Sequence, residues 1–193
     1  SVPVFFGRKT PPLRKAVPPG ALLNAGVALL AISLLPMSDT AGQSIAGLGL
    51  ACAGIATAWL APLCGAVRGK ATRLRPRARA ASQFVLVGNL AAVLAGVLLA
   101  WAGIDSLVRG EFAATALRDA ARHSIGVGLI TMLILGMAQL VAPVFALSRA
   151  EARPPALWER SVFWLMTASL ILRVVAALLL GHMDGQARLH LVS

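Results

Sequence analysis

Three side chains in this sequence could do chemistry within or beside apolar stretches: His123, Arg173 and His182. Neutral imidazoles can hold haem iron or copper. A charge at the centre of a membrane helix costs roughly 2.5–3.5 kcal/mol even on the permissive insertion scale. Arg173 is therefore expected to face the bundle interior or a partner. There it would serve as counter-charge to an anionic group such as a haem propionate, or pair with helix carbonyls or Asn89. His123 opens the fourth apolar stretch and His182 closes the fifth, so antiparallel helices put both at one membrane face. Each also has a plainer reading as a solvated interfacial residue. Arg173 and His182 lie nine residues apart, about 900° of helical rotation, and so point in nearly opposite directions unless the helix ends near Gly181. That makes His123 the stronger candidate, with a second ligand to be sought elsewhere.

The other reactive side chains read as structural. Twelve residues of helix separate Cys52 from Cys64 by roughly 18 Å, too far for a disulfide, so packing is their expected role. Met137 lies about 21 Å deeper than His123 along the same helix and cannot share a mononuclear site with it. The apolar stretches hold no carboxylate pair and no nucleophile with an adjacent base, and no glycine-rich loop joins a strand to a helix. No catalytic constellation is present, and the sequence does not read as an enzyme.

The elements that must position these residues are membrane helices. Of 193 residues 58% are hydrophobic and 13% charged, against about 25% charged in a soluble domain. Apolar runs at about 20–36, 44–67, 82–102, 122–147 and 161–181 predict an all-α, polytopic bundle of five spans. Four are long enough for a hydrocarbon core of about 30 Å; the first, between Pro19 and Pro36, is shorter. Residues 1–19 then form a basic, proline-rich segment, 20–181 the transmembrane domain and 182–193 a short tail. Residues 111–122 lack Gly and Pro and read as a helix running into the fourth span.

The net charge of +11 would suit nucleic acid, but its placement between apolar spans is a topological signal instead. Segments 1–19, 68–81 and 148–160 hold four, six and three Lys or Arg, whereas the opposite face holds four and five of the seven acids. The positive-inside rule predicts a cytoplasmic amino terminus and a periplasmic carboxyl terminus in a bacterial inner membrane. Small residues recur every fourth position at Gly49, Ala53, Thr57, Ala61 and Gly65, and at Gly88, Ala92, Gly96 and Ala100. Such ridges let helix axes approach closely in lipid, within the bundle or against other membrane subunits. Asn24, Gln83, Asn89, Thr131, Gln139 and Thr167 are expected to bond between helices.

The run DAARHSIGVGLITMLILGMAQLVAPVF, from Asp119, resembles the carboxyl-terminal half of the NnrS family of haem- and copper-associated bacterial membrane proteins. Arg122-His123, the Gly-rich run, Gly136-Met137 and Pro143 carry the likeness. Val2–Arg8 (VPVFFGR), Phe84-Val85-Leu86 after a basic linker, and Leu172-Arg173-Val174 extend it over nearly the whole chain. The sequence departs from the family at Leu140, where a basic residue is common, and in having no His before His123. The resemblance implies a b-type haem or copper at His123 with Arg173 as helper, and a link to nitric oxide handling or respiration. The competing expectation is a non-catalytic accessory subunit of a larger respiratory or photosynthetic complex.

Overall fold

A computed structural model describes residues 12–36, 38–63, 76–109, 115–145 and 157–192, with side chains for 12–36, 38–63, 79–109, 115–139, 141, 157–158 and 160–179. The described residues form helices α1 (Leu13–Ile32), α2 (Asp39–Leu63), α3 (Pro76–Arg109), α4 (Thr115–His123), a π-helical segment (Ser124–Thr131), α5 (Met132–Phe145) and α6 (Leu157–Val192). Five helical stretches are long and apolar enough to cross a membrane: Leu13–Ile32, Asp39–Leu63, Arg79–Arg109, Thr115–Gln139 and Arg160–Leu179. The chain is thus an all-α, multi-pass membrane protein.

The first span differs from its sequence reading. Helix α1 starts at Leu13 and runs through Pro18 and Pro19, its sixth and seventh residues, whose missing N–H groups leave the Arg14 and Lys15 carbonyls without their usual donors. The helix stops at Ile32, with the Ser33 hydroxyl donating to the Leu30 carbonyl at 2.7 Å. At the other end of the chain α6 continues through Gly181 to Val192, so the expected tail at 182–193 is largely helix.

Glycine governs the packing of α1, α2 and α3. A Cβ built on Gly26 would stand 2.6 Å from the Ala53 nitrogen, and one on Gly49 2.9 Å from the Gly26 carbonyl oxygen. A Cβ on Gly54 would meet the Gly96 carbonyl oxygen at 2.6 Å, and one on Gly103 would meet that of Gly47 at 2.5 Å. Helix α2 therefore uses Gly49 and Ala53 against α1, and Gly47, Ala51, Gly54 and Ala58 against α3. The predicted ridge on α3 divides in the same way: Gly96 and Ala100 meet α2, whereas a Cβ on Gly88 would lie 3.4 Å from the Gly128 carbonyl oxygen of the fourth span. Residues four apart advance by about 400°, a drift of roughly 40° per step, so a long ridge of this spacing wraps from one neighbour to the next.

Three of the polar residues bond within their own helices. Asn89 Nδ2 donates to the Val85 carbonyl, Thr167 to that of Phe163 and Thr131 to that of Gly126, at 2.8–3.0 Å. The interhelical bonds expected of these three are replaced by local ones, since the backbone acceptor is always within reach.

Candidate functional site

Helix α4 is short and strongly two-faced. Ala120 and Ala121 are fully buried in a cluster with Ala91, Ala95 and Leu98 of α3 and Leu170 and Val174 of α6. Asp119 and Arg122 lie on its exposed side. This small-residue seam holds the fourth and fifth spans together, and His123 follows at its edge. On α6, Val174 points into the seam, which leaves Arg173 at its margin.

Across that margin Arg173 Nε donates a hydrogen bond to His123 Nε2 at 3.1 Å. Asp119 Oδ2 lies 3.4 Å from the same nitrogen, one helical turn before it. The two contacts demand different protonation states of one atom: Nε2 must be bare to accept from arginine and protonated to donate to the carboxylate. The Arg173 contact is shorter and its donor always carries hydrogen. The geometry thus favours the Arg173 hydrogen bond, which needs a bare Nε2, over one to Asp119. The arrangement is a chain of carboxylate, imidazole and guanidinium.

Its depth corrects the sequence reading of His123. The helix carrying it begins at Thr115, within the stretch 111–122 expected to run as helix into the fourth span. Gly128 faces Ala91, and Gly136 faces Ala81 and Phe84, so the antiparallel register brings His123 level with about Gly96. That lies close to Leu94, the midpoint of the Arg79–Arg109 stretch. The site thus sits near the middle of the third span and not at its end.

Of the three predicted residues the fold joins two, His123 and Arg173. Arg173 pairs with the histidine instead of Asn89, and it is exposed at the bundle surface rather than enclosed. His182 lies in the unbroken continuation of α6, about 13 Å farther along the axis; its side chain is outside the described residues. Asp119 escaped the sequence reading, although its i, i+4 spacing from His123 was a visible signal. Among the described residues, no three His, Cys, Asp or Glu side chains converge in a way that suits a metal ion. Cys52 is a half-buried free thiol, and Cys64 lies outside the described residues. Comparison with protein-family models, curated proteins and solved structures finds no match.

Proposed function

We propose that this chain is a haem-associated bacterial membrane protein of the NnrS type, with His123 as its donor and Arg173 as the counter-charge beside it. One observation supports this reading above others: two residues fifty positions apart, singled out by the family resemblance, meet at 3.1 Å. A single imidazole is a sufficient protein ligand for haem iron, whereas copper sites usually draw on several nitrogen or sulfur donors. The described residues around His123 offer one imidazole, one carboxylate and a cation, which favours b-type haem over copper. When bound, the haem would supply a redox-active iron. The protein's own contribution would be the His123 imidazole, whose Nε2 lone pair is held by Arg173 in this structure and would have to be released to reach iron, and a guanidinium that this release would free for a propionate.

The detergent-purified chain is expected to show a b-type reduced-minus-oxidised spectrum. His123→Ala should lower bound haem at least tenfold, and Arg173→Ala by about tenfold, the size of effect typical when a residue supporting a metal ligand is lost. Absence of haem and copper from the parent, or unchanged content in His123→Ala, would overturn the proposal.

The second reading, an accessory subunit within a larger membrane assembly, is favoured by the outer spans. Only 11% of the first and last spans is buried, against 44% of the second and third, so two helices keep most of their surface for lipid or neighbouring subunits. In either reading the basic segments face the cytoplasm. A cysteine at Ala78, in a background lacking Cys52 and Cys64, should resist a membrane-impermeant thiol reagent in intact cells and react once the membrane is opened. Labelling from outside would reverse the orientation.

A further inference from the structure

The fourth span changes helical register at the residue that carries the site. Helix α4 ends at His123, and the next eight residues, Ser124–Thr131, are π-helical before α-helix resumes at Met132. A π-helix bonds i to i+5, and such turns are rare and concentrated at functional places. Each turn holds more residues than an α-turn, so rotation per residue falls below 100° and accumulates over the segment. Below the π segment the span is fixed on α3, where a Cβ on Gly136 would lie 3.1 Å from the Ala81 carbonyl oxygen. The π register therefore sets the direction in which His123 leaves the helix.

Two residues support that register. Thr131 donates its hydroxyl hydrogen to the Gly126 carbonyl at 3.0 Å, five residues back. The back-bonds of Thr57, Ser124 and Thr167 all span the four residues of an α-turn. Gly126 has nothing within 4 Å of where a Cβ would stand, so steric crowding does not require glycine there. The low helix propensity of glycine weakens either register alike, so what Gly126 contributes is the backbone carbonyl that accepts from Thr131.

We propose that Thr131 is a positioning residue: its bond to the Gly126 carbonyl holds Ser124–Thr131 in π register, and this register aims His123 at Arg173. If the segment reverted to α-helix, the imidazole would turn off the guanidinium and leave Nε2 to the carboxylate of Asp119. The ring tautomer reports the change directly, because Nε2 is bare when it accepts from Arg173 and protonated when it donates to Asp119.

The test uses the full chain in lipid, without added cofactor, labelled with 15N-histidine and with His123 assigned from the spectrum of His123→Ala. The parent is expected to show a pyridine-type Nε2 and a pyrrole-type Nδ1. Arg173→Leu, as the reference for a lost contact, should move Nε2 to the pyrrole-type range. Thr131→Val should produce the same shift, and Thr131→Ser should restore the parental signal. A pyridine-type Nε2 retained in Thr131→Val would overturn the proposal, even if that variant melts at lower temperature. Haem content plays no part in the readout, so it stands or falls separately from the haem-binding function.

Discussion

Gly96→Leu is expected to abolish the contact between α2 and α3 and to leave little folded protein in detergent. The Cβ position at Gly96 already lies 2.6 Å from the Gly54 carbonyl oxygen and 2.5 Å from the Ala58 nitrogen. These are backbone atoms of a helix held on its other side by Gly26, so they cannot swing aside as a side chain would. Overpacking of an ordinary core costs about 1–3 kcal/mol. Here a whole helix must withdraw, and with it the close contacts made by Gly54 and Gly103. Even Gly96→Ala should lower the melting temperature clearly. Gly20→Ala, with nothing within 4 Å of its Cβ position, should melt like the parent. Size-exclusion profiles and thermal melts of the three variants decide the matter. If Gly96→Leu assembled and melted like the parent, the close approach of α2 and α3 would be wrong.

Much of this packing was legible in the sequence, because only small residues permit it and their four-residue spacing is visible. Gly49 and Ala53 do form a contact ridge, as do Gly96 and Ala100. The second ridge of α2, through Gly47, Ala51, Gly54 and Ala58, was hidden because its spacing alternates between four and three. The split of the α3 ridge between two neighbours was equally hidden: spacing reveals a stripe but not how far it winds. Pro19 misled the first boundary, since proline near a helix start reads as a stop when it is compatible with continuation.

The site was legible in part for similar reasons. His123 and Arg173 stood out by type and by resemblance, yet their meeting depends on the azimuth of two helices. That azimuth follows from the π segment and from the Ala120–Ala121 seam. No hydrophobic period announces eight residues of π register, because glycine, valine and isoleucine are apolar on every face. The helix before His123 was legible, since residues 111–122 read as helix running into the fourth span and the structure begins it at Thr115. The depth of His123 was not, because it depends on the register of the fourth span against α3.

Removing the two members of the His123–Arg173 pair is expected to have unequal effects, and removing both should be milder than removing the histidine alone. In His123→Leu the guanidinium loses its direct acceptor near the middle of an apolar span and faces Asp119 only across the vacated ring position, so part of the roughly 2.5–3.5 kcal/mol cost of a charge there returns. In Arg173→Leu the imidazole loses a donor but can move its proton to Nε2 and bond to Asp119 Oδ2, now 3.4 Å away. The loss is then nearer the roughly 1 kcal/mol net worth of a hydrogen bond. The double variant removes the stranded cation together with its partner, and replacing both members of a paired polar contact by apolar groups is often close to neutral. Asp119, 55% exposed, survives in the double variant as it does in Arg173→Leu, so its charge does not distinguish those two. Unfolding in mixed micelles should therefore rank the proteins from parent through Arg173→Leu to His123→Leu, with the double variant more stable than His123→Leu. Strict additivity of the two single losses would show that the side chains do not interact, and would remove the contact on which the site is built.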